Sequence, residues 1–126
     1  MSYVHSFLGI PPMQVLETAL PAAGRHIIGV EFAKERSGQY NEAHGTATLY
    51  VGETACDTGE MRTVAGSYAL CGEGLCIGYD GSDSVTTDYS GRFDYTGGVI
   101  VKVVFDVADD AYIDVERQLA AALSRD

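Results

Sequence analysis

The sequence predicts an all-β fold: an antiparallel sandwich or barrel of short strands with a short C-terminal α-helix. Three observations carry this expectation. Apolar residues alternate with period two in several separate stretches, which is the mark of a strand with one buried face. Gly-, Pro- and Asp-rich turn signals fall between those stretches at the spacing of antiparallel architectures. No strand–helix rhythm is present, which argues against a parallel doubly wound sheet.

In chain order, Tyr3 to Leu8 is a short strand. Met13 to Glu17, after Pro11-Pro12, fits one helical turn or an extended run. In HIIGVEF, residues 26 to 32, Ile28, Val30 and Phe32 share one face. In TATLYV, residues 46 to 51, Ala47, Leu49 and Val51 alternate with Thr46, Thr48 and Tyr50. Ser67 to Cys71 and Leu75 to Tyr79 are shorter strands, expected to form a hairpin across Gly72-Glu73-Gly74. VIVKVVFD, residues 99 to 106, alternates most regularly of all. Turns are expected at Pro21-Ala22-Ala23-Gly24, Ser37-Gly38, Val51-Gly52-Glu53, Asp57-Thr58-Gly59, Asp80-Gly81 and Thr96-Gly97-Gly98. At the end, Asp114 caps a helix whose Val115, Leu119 and Leu123 form a stripe at i, i+4, i+8.

At 126 residues the chain is expected to form one domain. Hydrophobic residues make up 46% and charged residues 21%, an ordinary globular mix. The net charge of −10 argues against nucleic acid and anionic membrane as partners, since a polyphosphate is repelled. No apolar run approaches the roughly 20 residues of a membrane span. The N-terminus has no basic residue ahead of its apolar part, and the three cysteines are an odd number. Both point to a cytoplasmic chain with reduced thiols.

The stretch LCGEGLCIGYDGSDSV, Leu70 to Val85, invites several chemical readings. Zinc would need a second ligand pair beside Cys71 and Cys76, and only Cys56 and scattered histidines could supply it. A phosphate loop would need a helix after the glycines, where a strand-like Leu75-Cys76-Ile77 follows. Asp80, Asp83 and Asp88 could face a hard cation, but Asp-Gly and Ser-Asp-Ser are also ordinary turn chemistry. The stretch is expected to be architecture, with no metal and no cofactor.

Catalytic chemistry is sparsely signalled. No G-x-S-x-G is present, and His5, His26 and His44 lie in three separate segments. His44 beside Glu42, in the NEAHG loop, is the most site-like histidine. Glu31, Glu73 and Asp80 are the first carboxylates to consider for acid–base work. Tyr50, Tyr68, Tyr79, Tyr89 and Tyr95 could line a sugar or aromatic groove, or finish a half-buried sheet.

The Leu70–Val85 stretch, followed by Thr87-Asp88-Tyr89 and Phe93-Asp94-Tyr95-Thr96-Gly97-Gly98-Val99-Ile100, resembles the C-terminal, non-catalytic region of large bacterial arylsulfatases. YVHSFLG (Tyr3–Gly9), HIIGVEF, His44-Gly45-Thr46-Ala47, Met61-Arg62-Thr63 and Tyr112-Ile113-Asp114-Val115-Glu116 extend the likeness from Tyr3 to Ser124. The resemblance implies a jelly roll of concanavalin or laminin-G type. It does not bring sulfate ester hydrolysis with it. Cys56-Asp-Thr-Gly-Glu, Cys71-Gly-Glu-Gly-Leu and Cys76-Ile-Gly-Tyr-Asp all lack the Cys-x-[Pro/Ala]-x-Arg pattern that yields a sulfatase nucleophile.

The expected role is therefore binding rather than catalysis: association with a sulfatase-like catalytic subunit, or with a second copy in a homo-oligomer. Two rival expectations stand beside it. One is a small hydrolase- or cyclase-type enzyme using His44, a carboxylate and tyrosines on a concave sheet face. The other is a carbohydrate-binding module.

Overall fold

The computed structural model describes residues 1–64, 74–81 and 84–107. Over these residues the chain is all-β, with antiparallel sheets and no helix. Among them, no helix is long and apolar enough to cross a membrane.

Strands β1 (Ser2–Phe7) and β2 (Ile10–Glu17) form a hairpin, in register from Ser2 opposite Glu17 to Phe7 opposite Ile10. Its two-residue turn, Leu8-Gly9, has φ of 52° and 72°. Two successive positive φ values give a turn whose twist matches the strands it joins. The expected strand thus ends one residue early, and Met13 to Glu17 is extended. Pro11 and Pro12 sit near the start of β2, where strands tolerate them.

Strands β3 (Ile28–Ser37), β4 (Ala43–Val51) and β5 (Thr54–Thr63) form a meander in that order. Val51-Gly52-Glu53 turns the chain as expected, with Gly52 at φ 60°. Ser37-Gly38 opens the β3–β4 turn, where Gly38 N donates to Glu42 O at 2.7 Å. The HIIGVEF strand begins two residues late and runs on to Ser37. The cause is a bulge between Lys34 and Arg36, which lets the ladder continue past the alternating stretch.

Period-two geometry puts Val30, Phe32, Ala47, Leu49, Gly59 and Met61 on one face, through the pairs Val30–Leu49, Phe32–Ala47, Ala47–Gly59 and Gly45–Met61. The hairpin lies on that face. Leu16 from β2 joins Ala47, Leu49 and Met61 as the buried core, with Tyr3 and Phe32 packed against it. A side-chain clamp holds the two parts in place. Gln14 Nε2 donates to Glu60 O at 3.1 Å, and its Oε1 accepts from Arg62 N at 3.2 Å. The amide thus does for the β5 edge what a neighbouring peptide would, satisfying one donor and one acceptor. His5 Nε2 adds a contact to Arg62 O at 2.9 Å, and Asp57 Oδ2 accepts from Glu17 N at 2.8 Å.

That arrangement corrects the expected turn at Asp57-Thr58-Gly59, which lies inside β5. Asp57 bonds the Glu17 and Thr58 amides rather than closing a turn. At Gly59, an added Cβ would come within 3.2 Å of Leu16 Cδ2, so the glycine leaves room for the core leucine. β5 escaped prediction for the same reason: it offers a small residue where an alternating pattern requires a large one.

Leu75 to Tyr79 is corrected too. Among the described residues only Tyr79–Asp80 (β6) pairs, with Phe93–Asp94 (β7), because Gly78 at φ 85° bends the chain just before. Tyr95 N donates to Gly78 O at 2.8 Å. The Tyr89 and Phe93 rings lie 4.9 Å apart, and Arg92 sits 4.5 Å over Tyr79 while bonding Asp94 at 2.8 Å.

The third correction is the largest. Residues 99–106, expected as the last strand, form no ladder among the described residues, and their apolar side chains are 40–87% exposed. Alternation supplies a face, but a strand also needs a partner for its backbone. The expected turn at Gly72-Glu73-Gly74 lies largely outside the described residues, as do the 67–71 strand and the 114–125 helix.

Candidate functional site

The cleft that His44 helps to line is built by strand register. Arg36 lies opposite His44 across β3 and β4, and His44 lies opposite Arg62 across β4 and β5. One rung therefore carries three basic side chains. The neighbouring rung pairs Thr46 with Glu60, and the Thr46 hydroxyl donates to Glu35 Oε1 at 2.7 Å. The resulting open cleft, about 410 Å³ including its mouth, is lined by Gln14, Glu35, Arg36, His44, Glu60 and Arg62, with Gly45 and Met61. Arg62 is not free to swing, since its guanidinium lies 3.9 Å over the Phe7 ring.

His44 Nε2 stands 3.3 Å from Glu42 Oε1. Both groups are mostly covered, at 25% and 14% exposure. Glu42 has other duties. Its Oε2 accepts from Tyr40 N at 2.8 Å, and its carboxylate fills the space beside Gly38, where a Cβ would meet Oε1 at closest approach. Amide donation, first from its own backbone, then from Tyr40, with His44 adding to it, holds the Glu42 carboxyl below its ordinary value of 4.5.

This depression gives a pH prediction with a definite sign. Folding stabilises ionised Glu42, so its contribution is present above the ordinary value and is lost as pH falls through the lower folded value. Thermal unfolding between about pH 6 and about pH 3 should therefore show wild type and Glu42→Gln converging as acid is added. A gap that stays constant would mean that Glu42 titrates as an ordinary surface carboxylate.

The other sequence-predicted residues fall elsewhere. Glu31 and Tyr50 meet on the opposite face of the sheet from the core, the Tyr50 hydroxyl donating to Glu31 Oε2 at 3.1 Å. That bond, with some burial and the carboxylate's charge, raises the Tyr50 pKa. Asp80 accepts hydrogen bonds from the Tyr89 hydroxyl and from Gly81 N, the latter at 2.9 Å, while the Tyr89 hydroxyl accepts from Val85 N at 3.2 Å. Asp80 is the chief cause of a raised Tyr89 pKa. Tyr79 lies under Arg92, and Tyr95 is half exposed beside the same small sheet. Glu73 and Tyr68 lie outside the described residues, as does Asp83. Asp88 bonds the Thr86 hydroxyl at 3.0 Å. Cys56 is exposed and Cys76 half-buried.

The expected grouping of His44, a carboxylate and tyrosines is thus split. His44 keeps Glu42 and shares its cleft with two arginines and two further carboxylates, whereas Tyr50 pairs with Glu31, Tyr79 with Arg92 and Tyr89 with Asp80. Chemically, the cleft presents adjacent rows of positive and negative groups, suited to a small zwitterion or to opposed charges on a partner's surface. Gln14, Arg36 and Arg62 were missed by sequence reasoning. The signal that could have found Arg36 is its place across the Ser37–Asn41 turn from His44. No family model, curated protein or solved structure matches this chain.

Proposed function

We propose that this chain is a non-catalytic β-domain that works by association, of the kind found at the C-terminus of bacterial arylsulfatases, with a sulfatase-like catalytic subunit as partner. In this reading the hairpin-on-sheet core is one part of a jelly-roll sandwich. The odd cysteine count, which favours reduced thiols, fits a cytoplasmic location. The observation that carries it is the apolar surface between Val99 and Val107, seven large hydrophobic residues each at least 40% exposed. A run of exposed apolar side chains of that kind fits an interaction surface. The ordered motifs from Tyr3 to Ser124 support the arylsulfatase likeness.

Calorimetric titration of the full chain into a purified arylsulfatase catalytic domain stripped of its own C-terminal region tests this reading. Micromolar binding is expected, with no turnover of a chromogenic aryl sulfate by the chain alone. Absence of binding, joined to turnover of an ester substrate that His44→Ala abolishes, would replace it with the enzyme reading. That second reading rests on the covered His44–Glu42 pair at the cleft.

A further inference from the structure

Among the described residues, the most regular strand pattern in the sequence and the outer edge of the main sheet are complementary yet unpaired. β3 is the outer strand of the three-stranded sheet, and Ile28 and Val30 on its core face are 43% and 39% exposed. Val99 to Val107 is exposed at the same time. Resting on the reading above that residues 99–107 are an association surface, we propose that two copies of this chain pair by exchanging this segment when no catalytic subunit occupies it. Residues 99–107 of each copy lie antiparallel along β3 of the other, converting each three-stranded sheet into a four-stranded one.

Parity and charge select one register. The core face of β3 carries Ile28, Val30 and Phe32, so the segment must turn Val101, Val103 and Phe105 the same way. With Lys102 opposite Glu31, Val101 meets Phe32, Val103 meets Val30 and Phe105 meets Ile28. Val104 then falls opposite Gly29, where nothing lies within 4 Å of an added Cβ. A shift of two residues either way puts Ile100 or Val104 opposite Glu31 and loses the ion pair. A parallel arrangement that keeps Lys102 by Glu31 sets Asp106 against Glu35, a like-charge contact. Glu31 can serve both neighbours, because Tyr50 uses only one of its oxygens. A second copy is the occupant because it supplies this one strand with its one matching charge, and because the exchange is reciprocal, covering both edges about a twofold axis.

The test uses the full chain with its cysteines replaced by serine and two different tags. Val30→Cys is placed in one version and Val103→Cys in the other, and the mixture is treated with a short bismaleimide. A dimer by sedimentation, with a crosslink joining the two tags, is expected. Lys102→Glu should weaken dimerisation about tenfold, and adding Glu31→Lys should restore it. Val101→Lys with Val103→Lys should weaken it about 100-fold. These side chains are exposed in the single chain, so the fold should survive the changes. A monomer, with or without an internal crosslink in a chain carrying both cysteines, would overturn the proposal. A dimer without the mixed-tag crosslink, or without charge-swap rescue, would overturn it as well. Binding to an arylsulfatase catalytic domain is measured separately, so a failure of self-pairing leaves that result standing.

Discussion

Gly45→Ala is expected to cost about 3 kcal/mol, enough to remove much of the stability of a small domain. Gly45 is buried near the start of β4, opposite Met61 on one neighbour and Lys34 on the other. A Cβ built there would stand 2.0 Å from Ala33 O, 2.8 Å from Ala33 C and 3.0 Å from Lys34 Cα. Those atoms are backbone and cannot swing aside as a flexible side chain would. Relief requires β3 and β4 to separate beside the bulge at Lys34–Arg36, breaking ladder bonds that also position Arg36 and His44. Urea denaturation should show a lower midpoint with an unchanged slope. Gly29→Ala is the control: nothing lies within 4 Å of that position, so a change within about 0.5 kcal/mol is expected. Equal losses at the two positions would mean that strand propensity, not the close approach of β3, explains the glycine.

Leu16→Ala is expected to cost a comparable amount, about 3 kcal/mol, for a different reason. Leu16 is 5% exposed and is the one hairpin residue in the buried core, seated over Gly59 and against Ala47, Leu49 and Met61. Truncation removes the transfer energy of its methyl groups and leaves a void that Gly59 cannot fill. The loss should also be local. Hydrogen exchange should show β1 and β2 amides losing protection before those of β4, since only polar contacts from His5, Gln14 and Asp57 and the Arg62–Phe7 stack would then tie the hairpin to β5. Uniform loss of protection across both sheets would show that the hairpin and the meander unfold as one unit.

Both substitutions fall where sequence reasoning was least informed. Alternation picked out Ile28–Phe32 and Ala47–Val51 because large β-branched and aromatic residues recur there on one face. It passed over β5, whose inward positions include Asp57 and Gly59, because the volume that fills the space there belongs to Leu16, some forty residues earlier. It expected a strand at 99–106 because the pattern is strong, although pairing needs a second backbone that pattern does not identify. At the cleft, His44 and Glu42 were visible as near neighbours in sequence. Arg36 and Arg62 reached the same rung only through the register of β3 and β5.

The amino-acid order alone settled the properties that depend on short range: an all-β architecture over the described residues, the turns at residues 37–38 and 51–53, and a net charge of −10. Neighbour-to-neighbour preferences and period-two burial act within a few residues, so they can be read directly. Tertiary packing alone decided that β5 is a strand, that Gln14 clamps its edge, and that two arginines flank His44. Each of those rests on a contact between residues far apart in the chain, set by which strands lie side by side, and local pattern contains no term for that.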